Sequence, residues 1–267
     1  MPASRSASRD IRRTPRTRRW PLILLGLILL SGAVIYVLPA SFAARFMPPQ
    51  VQAEDFSGSL LHGAAGKIRV NARDAGAIEW YVHPLALLRL AIVADIHWVK
   101  LGFLIDGTAE LKPRSFAAHD ISGGGPIEDL QTLGFAQGWK GTAKLTFTAI
   151  KGNFQKLEAA VGKIDVADIS SPNIASGSDL GSYELQLGPQ SIAPDGSLSA
   201  TLNDTGGPVE AQALIRFSPA TRTGMLSGTL KERAEASPAL RNQLNNLSQI
   251  RPRDASGRFP VELEFTF

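Results

Sequence analysis

Val261-Glu262-Leu263-Glu264-Phe265-Thr266-Phe267 alternates without a break: Val261, Leu263, Phe265 and Phe267 fall on one side, Glu262, Glu264 and Thr266 on the other. Successive side chains of a strand point to opposite faces, so this stretch is a strand with one apolar and one wet face. Working back along the chain, the same rhythm returns. Residues 211–217 and 225–230 form a pair joined through Ser218-Pro219-Ala220-Thr221. Ser182-Tyr183-Glu184-Leu185-Gln186-Leu187 and Ser197-Leu198-Ser199-Ala200-Thr201-Leu202 form another, with Pro194-Asp195-Gly196 as the turn between them. Thr142-Ala143-Lys144-Leu145-Thr146-Phe147-Thr148 and Gly66-Lys67-Ile68-Arg69-Val70-Asn71-Ala72 alternate as well. Short alternating runs punctuated by glycine are the mark of antiparallel strands. The expected fold is mainly β, a long curved antiparallel sheet carrying one or two short helices.

Helical signals are few. Ser237-Pro238 offers an N-cap followed by proline in the first turn, and Leu240, Leu244, Leu247 and Ile250 then recur at helical spacing. That stripe is expected to pack on the sheet. Shorter helical pieces are expected over residues 84–90 and 127–133.

The other end of the chain reads differently. Arg5, Arg9, Arg12, Arg13, Arg16, Arg18 and Arg19 stand against one acid, Asp10, and residues 20–44 then carry no charge. A helix needs about 20 apolar residues to cross hydrocarbon. Leu22, Ile23, Leu24, Leu25, Leu27, Ile28, Leu29, Leu30, Val34 and Ile35 supply the apolar surface, while Trp20 and Tyr36 sit near the two ends, where amphipathic rings favour the interface. Only Arg45 follows before Lys67, so the excess of positive charge keeps the N-terminus in the cytoplasm. Ser41-Phe42-Ala43 has the small residues of a signal-peptidase site. The apolar run is nevertheless longer than the roughly 7–15 residues of a signal peptide core, so an uncleaved anchor is preferred. Both readings export the same domain. The expected organisation is a basic cytoplasmic tail over 1–19, a transmembrane anchor over 20–44, a linker over 45–55 and a periplasmic β domain over 56–267.

The formal charge of +4 belongs to the tail. Without its seven of the 28 basic residues and one of the 24 acids, 21 bases face 23 acids, and no basic stripe favours nucleic acid. The chain has no cysteine, which removes thiol chemistry and thiolate-bound zinc. His62, His83, His97 and His119 are scattered in sequence; Asp95 and His97 share a strand face, but no third ligand is evident. Gly123-Gly124-Gly125 lacks the lysine and helix of a phosphate loop. Asp204-Thr205-Gly206 occurs once, whereas aspartic proteases pair two such turns, so it reads as a turn between strands. No catalytic residue, metal site or cofactor is expected. The alternating C-terminal segment also has the look of a closing strand in an outer-membrane barrel, but the other strands lack aromatic girdles.

Four stretches resemble the type II secretion system protein N (GspN) family, over roughly residues 56–267. Phe56-Ser57-Gly58-Ser59-Leu60-Leu61-His62-Gly63-Ala64 is similar to its glycine-framed opening strand, although Leu61 stands where tryptophan is expected. Trp80 and Pro84, within Ile78-Glu79-Trp80-Tyr81-Val82-His83-Pro84-Leu85-Ala86-Leu87-Leu88, match its Trp-x-x-x-Pro-x-x-Leu-Leu segment. Gly206, Gly207 and Pro208 match its Gly-Gly-Pro-apolar turn; Gly228-Thr229-Leu230-Lys231-Glu232-Arg233 with Leu240, Leu244 and Leu247 match its closing strand and helix. The resemblance implies a non-enzymatic accessory subunit in the inner membrane of a Gram-negative cell. Its partners would be the inner-membrane assembly proteins and the outer-membrane secretin. From the residues alone a second role stays open: a lipid-handling module of the AsmA-like kind, with acyl chains in an apolar β-groove. An open groove, as against a core sealed by helices, separates the two.

Overall fold

The computed structural model describes residues 20, 26, 32–34, 36–133, 138–174, 177–218, 221, 223–250 and 252–266. Thirteen strands form one antiparallel sheet in which every strand pairs with its neighbours in sequence. They are β1 (Val51–Gly58), β2 (His62–Val70), β3 (Arg73–Val82), β4 (Ile92–Lys100), β5 (Phe103–Lys112), β6 (Ser115–Pro126) and β7 (Lys140–Asn153). β8 (Leu157–Ser170), β9 (Asp179–Leu187), β10 (Leu198–Gly206), β11 (Val209–Ser218), β12 (Thr223–Glu232) and β13 (Phe259–Thr266) complete it. The helix α1 (Pro238–Ile250) joins β12 to β13. Short 3-10 segments lie at Ala40–Phe46, Pro84–Arg89 and Ile127–Leu133, the last two where the sequence anticipates helical pieces.

Tight hairpins drive this meander. Asn71 and Ala72, at φ 51° and 64°, both take the left-handed conformation that a two-residue turn between twisted strands requires. The sequence reading extends a strand through them; the structure turns there instead. Asp120 and Asp168 take positive φ inside strands, where the register of β5–β6 and of β8–β9 shifts. Aspartate tolerates this conformation because its short polar side chain bonds locally. Such bulges bend a sheet, and open sheets beyond about ten strands seldom stay uncurled.

Among the described residues the sheet does not close, since β1 pairs only with β2 and β13 only with β12. It therefore lacks the closure that a membrane barrel requires. Ala65, Ala94 and Phe103 are buried in the N-terminal half, while two clusters of buried apolar side chains lie in the C-terminal half. One lies under α1, around Leu240, Leu244, Val209 and Phe259; the other lies around Ala160, Leu187 and Ala200.

Val51 to Asp55, which the sequence places in a linker, are the first residues of β1. The anchor residues Leu22, Ile23, Leu24, Leu25, Leu27, Ile28, Leu29, Leu30 and Ile35 lie outside the described residues. Among those described, no helix is long and apolar enough to cross a membrane. Trp20, Val34 and Tyr36 are helical and exposed, and Leu38 donates back to the Val34 carbonyl at 3.1 Å.

Candidate functional site

The register assembles an apolar face out of residues far apart in sequence. From edge to edge, one row reads Phe56, Ala65, Ile78, Trp98, Ile105, Gly123, Leu145, Ile164, Leu185, Leu202, Ala213, Gly228 and Val261. None is charged or polar, and none is exposed. The next row begins Gly63, Trp80, Ile96, Gly107 and resumes beyond the Asp120 bulge as Ile121, Phe147, Gly162 and Leu187. At strand spacings near 4.8 Å, twelve steps carry this surface about 60 Å. On the other side, the row from Ser57 through Glu79, Asp106, Thr146, Lys163 and Thr201 to Glu262 has eleven of its thirteen members exposed. The apolar row is half-buried or buried along its whole length, and the 3-10 segment Ile127–Leu133 packs against β3, β5, β6 and β7.

At the β1–β3 end this face meets the segment that follows the uncharged run. Leu38 accepts the N–H of Leu60 at 2.8 Å, and Pro39 bridges Ser59. Trp80 donates through Nε1 to the Leu60 carbonyl at 2.9 Å. Ala40, buried, lies over Gly63, where an added Cβ would stand 2.9 Å from that of Ala40 and 2.7 Å from the Trp80 ring. Trp80 thus holds the junction between residues 38–40 and the β1–β2 turn, while Pro84 opens the 3-10 segment after β3.

All four histidines, dispersed in sequence, gather on the polar face of β2–β6. His62 packs edge-on against Tyr81, and Tyr81 against His83. His83 Nε2 is 2.9 Å from Asp95, whose other oxygen accepts from Thr108 at 2.8 Å. The Thr108 and His83 bonds hold the Asp95 carboxyl below its ordinary value. Asp95 and His97 share a face as the sequence implies, but His97 turns to Asp106 at 2.5 Å. That bond, reinforced by the charges of Asp106 and Glu79, raises the imidazole's pKa. His62 and His83 share Tyr81, His83 and His97 bond different carboxylates, and among the described residues no set of three ligands converges for a metal. Cross-strand distance was the missing information; only the register brings these side chains together.

Asp204 is bonded through both carboxylate oxygens. It pairs with Arg233, which also donates to the Gly207 carbonyl at 2.9 Å, and its second oxygen accepts the N–H of Ala211 at 3.2 Å. The glycines beside it have a mechanical reason. Gly207, at φ +106°, lies so close to Gly181 that an added Cβ would stand 2.3 Å from the Gly181 Cα. Gly206 ends β10, and the Pro208 carbonyl accepts the N–H of Arg233 at 2.9 Å.

α1 behaves as its spacing implies. The Leu240 N–H bonds the Ser237 hydroxyl at 3.2 Å, and Leu240 and Leu244 are 3% and 5% exposed. Leu247 is helical. Between α1 and the last strands lies a cavity of about 500 Å³, lined by Ile174, Leu180, Tyr183, Val209, Leu230, Leu240, Gln243, Leu244, Phe259, Pro260, Val261, Glu262 and Leu263. The Tyr183 hydroxyl donates to the Leu180 carbonyl at 2.6 Å, and burial, with the nearby Asp204 and Asp179 charges, pushes its pKa up to about 12. Nothing in the sequence pattern marks this hollow, because its walls come from five separate segments.

Comparison with known proteins returned no match among curated proteins or solved structures. A family model, described as type II secretion system (T2SS), protein N, matches residues 49–262, from just before β1 into β13. The chain belongs to the type II secretion system protein N family.

Proposed function

We propose that this chain is a non-enzymatic accessory component of the type II secretion system, a periplasmic platform tethered to the inner membrane. Its contacts would be with the inner-membrane assembly proteins and the secretin. The family match supports the system. The uncharged run behind seven arginines supports the tether and its direction. The open sheet carries the platform reading. β13 pairs on one side only, in unbroken register from Phe259 to Thr266, and so offers a row of backbone groups for strand addition. In a deletion strain, secretion of the system's substrates is expected to fall and to recover with the wild-type chain. Unchanged secretion would sink the reading.

A second reading, lipid handling, is favoured by the apolar row that crosses all thirteen strands. A hydrocarbon chain needs no hydrogen-bond partner on such a row. The two readings are compatible, since a tethered platform can also hold lipid.

A further inference from the structure

We propose that the cavity beneath α1 binds an acyl chain of an amine-bearing, zwitterionic phospholipid, admitted across the edge of β13. The inference rests on the lipid-handling reading and gives it a site.

Three observations carry it. The cavity, about 500 Å³, falls within the roughly 300–1,000 Å³ of small-ligand sites. Its side-chain lining is apolar except for Tyr183, whose hydroxyl is spent on Leu180, and the exposed Gln243 and Glu262. A peptide deep among these side chains would bury amides with no side-chain partner, whereas hydrocarbon gains on leaving water. The cavity is also the end of the apolar face, since Val261, one of its walls, is the last member of the row that begins near the tether at Phe56. Charge then selects the head. Arg253, over the Phe259 ring, pairs with Glu232, and Arg258 pairs with Glu210. By contrast, Glu262 and Glu264 stand exposed on the outer strand opposite Ser227 and Met225, so the excess charge there is negative and suits an ammonium better than an anionic head.

The full chain, reconstituted in bilayers containing phosphatidylethanolamine with a diazirine in its acyl chain, is irradiated and its adducts are mapped by mass spectrometry. Adducts on Leu240, Leu244 and Leu263 are expected. A Val261→Trp variant, which fills the hollow, should lower them on the order of ten-fold while leaving labelling near Leu145 unchanged. If that variant fails to fold, the wild-type map decides. Adducts on Trp98 and Leu145 but none around α1 overturn the proposal and leave the lipid reading intact. Adducts confined to residues 20–38 overturn both. Equal cavity labelling by a phosphatidylglycerol probe overturns the choice of head.

Discussion

Leu60 donates its backbone N–H to the carbonyl of Leu38 at 2.8 Å, which fastens the end of the N-terminal helical residues to the turn between β1 and β2. The sheet is therefore joined to what precedes it through hydrogen bonds as well as through the chain. Trp80 reinforces the junction from β3 by holding the other side of Leu60. Replacing Trp80 by Phe removes that bond and keeps most of the packing, so the thermal stability of the full chain in detergent should fall by about 1 kcal/mol. An unchanged melting temperature would show that the junction does not depend on the indole N–H.

Gly207→Ala must place a methyl against Gly181 and hold a left-handed backbone. A cost of roughly 1–3 kcal/mol is expected for the conformation alone. Gly188→Ala, where an added Cβ meets nothing within 4 Å, is the control. It should stay within about 0.5 kcal/mol of wild type. Denaturant unfolding of the two variants reads the difference.

Asp204→Asn tests whether the Asp-Thr-Gly turn is structural. Losing the charge opposite Arg233 should cost about 1–3 kcal/mol, since a hydrogen bond to a charged group is among the stronger ones. Secretion per folded molecule should not change. A selective loss of activity in a stably folded variant would contradict this.

The His97–Asp106 pair makes stability depend on pH with a definite sign. Its folded pKa is raised above the ordinary 6.5, so the folded state holds the proton more tightly than the unfolded chain. That contribution is complete below 6.5 and is lost as pH rises through the folded value. Asp95, held below 3.8, acts in the opposite direction: its contribution is present above that value and fades as pH falls through the folded one. Thermal melts across neutral pH should show a step down that His97→Gln removes. A step of equal size in the variant would assign the effect elsewhere.

Much of this architecture is legible in the alternation. Residues 142–148, 182–187 and 261–266 all lie within strands, and Leu240 and Leu244 bury as helical spacing requires. Alternation reports which face a residue takes but not which residue lies across from it. The apolar row and the histidine cluster therefore appear only with the register. Asp120 and Asp168 read as ordinary polar positions, although their backbone produces the bulges. The linker assigned to residues 45–55 is too long because Val51 and Ala53 alternate weakly, and pairing with Val70 and Ile68 makes them a strand.

The two faces should differ in their tolerance of charge. Leu145→Asp puts a carboxylate into the half-buried apolar row and should destabilise the sheet by about 1–3 kcal/mol as well as impair secretion. Thr146→Asp, one residue along on the exposed face, should do neither.

Affinity purification of the full chain from detergent extracts, with its companions identified by mass spectrometry, tests the central claim most directly. Co-recovery of inner-membrane type II secretion proteins or the secretin with the wild-type chain is the predicted result. Recovery of the chain with no secretion component would contradict the account.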